Sequence, residues 1–74
     1  MLRRDININA EIIWNLLSEQ RILSIRQIAE YTHFEGQNII LALGWLARED
    51  KVKLFEKGDT LYVELNQIFS EIYF

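Results

Sequence analysis

Apolar residues recur first at helical spacing and then at alternating spacing, with the change close to residue 50. In the first stretch Ala10, Ile13 and Leu17 share one side of a helix ending near Gln20, and Ile12 and Leu16 widen that stripe. Glu11, Asn15 and Ser18 fall on the water-facing side, with Trp14 on the edge between the two. Asn7 or Asn9 is placed to cap this helix, because a short polar side chain accepts a hydrogen bond from a free backbone N–H there. Residues 21–24 then read as a short extended link.

The second helix is marked more sharply. Ser24-Ile25-Arg26-Gln27 is a capping box, with Leu23 and Ile28 positioned as the hydrophobic staple around it. The helix is expected from Ile25 to about Thr32, with Ile28 and Ala29 inward. His33 follows the helix, and histidine tolerates a left-handed exit better than a β-branched residue would. Phe34 plugs the turn, Glu35 is a weak cap, and Gly36 opens a third helix in which Ile39, Ala42, Leu43 and Leu46 recur.

Residues 52–65 alternate around Gly58-Asp59 and predict a hairpin. With glycine first, the pair suits a two-residue type II′ turn. That register sets Leu54 against Val63 and Val52 against Leu65 on the core face. Phe55 then meets Tyr62, and Lys53 meets Glu64, on the other face. After the hairpin, Asn66 is placed to cap a short helical segment in which Ile68 and Ile72, or Phe69 and Tyr73, are four apart.

This order of elements resembles the winged helix-turn-helix superfamily, whose apolar skeleton Ala29, Phe34, Ile39, Ala42, Leu43, Leu46 and Val52 match. In that superfamily the link before the second helix adds a third strand to the wing. More narrowly, 13–17 (IWNLL) and 42–50 (ALGWLARED) are similar to a family of short, uncharacterised bacterial winged-helix proteins, over nearly the whole chain. The resemblance implies an α+β fold with a three-helix core, a C-terminal β-hairpin wing and a short C-terminal helical segment. It also implies a DNA-binding or regulatory role, and it carries over no ligand or catalytic residue. Asp50 stands where the superfamily usually has glycine.

Length and composition narrow the functional classes. Seventy-four residues, without proline, repeat or linker, make residues 1–74 one domain. A chain this short buries only roughly 60% of the surface exposed when unfolded, so oligomerisation is a common remedy. Half its residues are hydrophobic, more than a small core readily holds, and the excess predicts an exposed apolar patch. Eight Lys and Arg against eleven Asp and Glu give a net charge of −3. That balance disfavours nucleic acid, whose binding draws on phosphate neutralisation. The absence of cysteine excludes disulfides and thiolate sites. No apolar run approaches the ~18 residues of a membrane span, and residues 1–5 lead into no apolar signal core. A reduced, cytoplasmic setting is expected.

With Ile39 in the core, Gln37, Leu41, Gly44 and Arg48 point outward on the third helix, with Trp45 beside them. As a DNA reader the chain would use Arg26, Gln37, Asn38, Arg48, Lys53 and Lys57. Arg26 with Arg21 and the Arg3-Arg4 arm gives, counted generously, about four phosphate contacts per protomer, below the six to ten of a well-bound complex unless the protein dimerises. Glu49, Asp50, Glu56 and Asp59 also offset the wing's lysines. As an interaction module it would use Leu41, Trp45, Phe55, Tyr62, Phe69, Tyr73 and Phe74 against a second copy or another protein. Trp45 fits three readings: partner anchor, core residue or nucleic-acid surface.

His33 is the single histidine and has neither a cysteine nor a carboxylate cluster beside it, so no metal is expected. No glycine-rich phosphate loop or activated nucleophile is present, and the chain is expected to be neither an enzyme nor a binder of a cofactor or small molecule. The preferred reading is a homodimeric or partner-binding regulatory module; the alternative is a DNA-binding regulator.

Overall fold

The computed structural model describes residues 3–66. The elements are α1 (Arg3–Gln20), β1 (Ile22–Ser24), α2 (Ile25–Thr32), α3 (Gly36–Arg48), β2 (Val52–Lys57) and β3 (Thr60–Leu65). Both β1 and β2 pair antiparallel with β3, giving the sheet order β1-β3-β2. The three helices and this sheet form the α+β winged-helix arrangement expected, and the link supplies the third strand that the family resemblance implies. The helical segment expected after Asn66 lies outside the described residues.

The core is filled by Ala10, Ile13 and Leu17 from α1 and by Ile39, Ala42, Leu43 and Leu46 from α3. Ile28 closes it from α2, and Leu23, Val52, Val63 and Leu65 cover it from the sheet. α1 begins at Arg3, so Asn7 and Asn9 are interior residues and neither is its cap. The cost of asparagine inside a helix is only about 0.7 kcal/mol, and Asp5 in the first turn meets the positive end of the helix dipole. The buried stripe of α1 is narrower than expected. Leu16 is half-buried, but Ile12 is exposed, because α1 packs chiefly against α3 on the side of Ile13 and Leu17.

The capping box of α2 is complete. The Ser24 N–H donates to Gln27 Oε1 at 2.8 Å, and the Gln27 N–H donates to Ser24 Oγ at 3.1 Å. Leu23 and Ile28, the expected staple, are both buried in the core. At the other end the His33 N–H donates to the Ala29 carbonyl at 2.8 Å, and His33 takes φ 61°, the left-handed exit expected of it. Thr32 tightens this turn, its hydroxyl donating to the Ile28 carbonyl at 2.7 Å and accepting from the Phe34 N–H at 3.1 Å. Glu35 precedes α3 without a side-chain capping bond.

All three helices leave through a non-glycine residue at positive φ: Arg21 at 74°, His33 at 61° and Asp50 at 59°. Asp50 therefore bears the backbone that glycine would supply at the start of the wing. Its carbonyl accepts from Asn66 Nδ2 at 2.7 Å, and the Asn66 N–H donates to the Lys51 carbonyl at 3.0 Å, so the two ends of the wing are tied. At the wing tip Gly58 and Asp59 are both left-handed, at 54° and 64°. The turn is thus type I′, not the type II′ expected from glycine in first place. Aspartate tolerates positive φ, and the I′ twist matches that of the flanking strands.

The hairpin register is the expected one, with Val52 opposite Leu65, Leu54 opposite Val63 and Phe55 opposite Tyr62. One burial expectation is corrected. Val63 is fully buried, whereas its partner Leu54 is 43% exposed. β2 is the outer strand, and only its first residue, Val52, reaches over the core.

Two stability effects follow. Ser24→Ala removes an acceptor from the α2 cap and should cost about 1 kcal/mol in urea unfolding, with the m-value unchanged. Arg21→Gly relieves a left-handed arginine at the exit of α1 and should raise stability by about 1 kcal/mol in the same experiment.

Candidate functional site

α3 reaches its position through the His33 exit and the Phe34 plug, and four residues bury one of its sides: Ile39, Ala42, Leu43 and Leu46. Its other side is open to solvent at Gln37, Ile40, Leu41, Gly44 and Arg48. Ile40 is 50% exposed and Leu41 46% exposed. Sequence reasoning passed over Ile40, although its 100° step from the buried Ile39 places it outside the core. A Cβ added at Gly44 would meet nothing within 4 Å, so the neighbouring elements do not require glycine there.

Trp45 is half-buried against the core, and the Arg48 guanidinium lies 5.8 Å from its ring centroid. Below it Lys51 Nζ stands 4.9 Å from the Trp14 centroid and 3.5 Å from Glu49 Oε1. The two indoles line a cleft of about 330 Å³ between α1 and the end of α3, together with Ala10, Glu11, Glu49 and Lys51. Trp45 therefore lies toward α1, at the margin of the exposed α3 face.

The outward side of the wing carries a stacked aromatic pair. Phe55 and Tyr62 have ring centroids 5.5 Å apart and planes inclined by 16°. Phe55 is exposed and Tyr62 half-buried. Lys53 is opposite Glu64, whose β1 partner is the exposed Ile22. Of the residues considered for nucleic acid, Arg26, Gln37, Arg48, Lys53 and Lys57 are exposed and Asn38 is half-buried. Arg26 is in the first turn of α2, Gln37 and Arg48 are at opposite ends of α3, and Lys53 and Lys57 are on β2. Phe69, Tyr73 and Phe74 lie outside the described residues.

A second recess opens between α1 and the turn after α2, with Ile12, Leu16, Tyr31 and Phe34 among its lining. Tyr31 was not legible as a surface residue, because it lies three positions from the buried Ile28, on the side that helical spacing turns inward. Among the described residues no three histidine or carboxylate groups come together to hold a metal ion, and no helix is long and apolar enough to cross a membrane.

A family model described as Winged helix-turn-helix domain (DUF2582) matches residues 1–65. Among solved structures, the solution NMR structure of protein BT2368 from Bacteroides thetaiotaomicron is similar, with 30% sequence identity and a TM-score of 0.82. The match covers 93% of this chain and 84% of that one. None of the functionally curated proteins matches the chain. The helix order, the three-stranded wing and the match over residues 1–65 together make the chain a member of this winged helix-turn-helix family.

Proposed function

We propose that this protein is a non-enzymatic binding module of regulatory type that works by protein–protein contact, with self-association through the outward face of α3 as its mode. The observation that carries this reading is the pairing of exposed Ile40 and Leu41 with Gly44 on that face. A mid-helix glycine costs about 1 kcal/mol relative to alanine. Internal packing does not call for it, and a glycine there would let another backbone approach closely. The net charge of −3 points the same way, as does the engagement of Arg48 and Lys51 with tryptophan rings.

DNA binding is the second reading, favoured by the exposure of Arg26, Arg48, Lys53 and Lys57 on a fold that often presents such residues to a duplex. The charge around them is mixed. Lys53 faces Glu64 across the strands, and Glu56 and Asp59 flank Lys57.

Two experiments separate these readings. In sedimentation equilibrium the protein should show concentration-dependent mass that Leu41→Ser abolishes. Gly44→Ala should raise unfolding stability by about 1 kcal/mol while weakening the association. A chain that stays monomeric at high micromolar concentration defeats self-association through α3. In the second experiment, titration with a general duplex near physiological salt should give no complex at micromolar protein. Tight, steeply salt-dependent binding that is lost in Arg48→Ala and Lys53→Ala would establish the DNA reading instead.

A further inference from the structure

The recess between α1 and the turn after α2 has a volume of about 440 Å³ and is lined by Ile12, Asn15, Leu16, Glu19, Tyr31, Thr32 and Phe34. Ile12 and Tyr31 are 44% and 55% exposed, and Leu16 and Phe34 form its half-buried floor. Ile8, also exposed, lies one helical turn before Ile12 on the same ridge of α1. The α1 side of the recess runs from Ile12 to Glu19, about 10 Å or two helical turns at ~1.5 Å per residue, and Ile8 continues the exposed ridge for a third turn. A groove of this kind takes apolar side chains repeated at every third or fourth position of a helix.

Charge decides which helix. The seven lining residues include one charged side chain, Glu19, and no lysine or arginine. Glu11 lines the cleft beside the indoles and is not part of this surface. Glu19 lines the groove itself, and Glu30 and Glu35 adjoin Tyr31 and Phe34 in sequence. A second copy docked face to face would bring these three carboxylates against their own counterparts. The chain's own residues 67–74 include Glu71 and no basic group, so they supply no complement either.

We infer that the groove binds an amphipathic helix of another protein, one that presents a stripe of large aliphatic residues flanked by lysine or arginine. This surface is separate from the outward face of α3, so it stands or falls independently of self-association there.

The test uses two synthetic three-turn peptides with the same leucine stripe, one flanked by lysines and the other by glutamates. Binding to the full chain is followed by fluorescence anisotropy, and the site by amide chemical shifts. The lysine peptide should bind saturably and move the amides of Ile12, Leu16 and Tyr31, while the glutamate peptide should not bind. Ile12→Ser and Tyr31→Ala remove exposed apolar anchors without altering charge, and each should weaken the lysine peptide about tenfold. Both variants should fold, as checked by circular dichroism, because neither residue belongs to the core. Glu19→Gln should flatten the salt dependence of binding. The proposal is overturned if neither peptide binds, if both bind equally, or if both variants leave the lysine peptide's affinity unchanged. Shifts mapping to the wing would overturn it too. Self-association abolished by Ile12→Ser would assign the groove to a second copy.

Discussion

The geometry of this protein hangs on β1, three residues that hold the wing against the helices. Val63 on the central strand lies opposite Leu23 on one side and Leu54 on the other, and no part of it reaches solvent. The pairing is prolonged by the Leu65 N–H, which donates to the Arg21 carbonyl at 2.9 Å. Ser24 then does two things at once: it pairs with Tyr62 in the sheet and caps α2. The direction in which α2 leaves the sheet is fixed by hydrogen bonds at a single buried residue. α3 follows after the His33 turn, so the attitude of its outward face to the wing descends from the same point. An unmade β1 pairing would free both.

Most of this framework was legible because it is local or periodic. A capping box is read from four consecutive residues, and strand register follows from alternation once the turn is placed. His33 at a left-handed exit was legible from the resemblance, since helix-turn-helix turns usually carry a left-handed glycine at that place. The failures came where a tertiary neighbour decides between two locally acceptable states. Asn7 and Asn9 are good caps and tolerable interior residues, and α1 continues through them. Gly58-Asp59 suits two turn types, and the twist of the strands selects I′. Leu54 has the right alternation for the core, yet its strand is at the edge of the sheet and the core ends beneath Val52.

The surface was less legible than the core. Helical spacing places Leu41 outside correctly, because Ile39, Ala42, Leu43 and Leu46 define the opposite side without ambiguity. It could not place Trp45, whose position is settled by the approach of α1 and by the cation resting on its ring. Tyr31 and Ile12 carry inward-looking spacing and are exposed. The space beside them is bounded by two different elements, and helix periodicity describes only one element at a time. A groove between helices is a property of their packing, and no single apolar stripe encodes it.

The winged-helix fold supplies a shape suited to a duplex, but the charge a duplex needs has to be present separately. In this chain the basic side chains near the wing are drawn into internal partnerships or matched by acids. The Arg48 guanidinium packs over Trp45, and Lys51 is held between Trp14 and Glu49. Phosphate contact by either would come at the expense of those interactions, each worth about 0.5–1 kcal/mol at exposed sites. Apolar contact through Ile40 and Leu41 carries no such cost, since both are already bare. In a domain too small to bury all its large aliphatics, side chains left on the surface destabilise nothing further when a partner covers them. These differences support the proposal that α3 meets protein, and the shape of the fold alone decides neither reading.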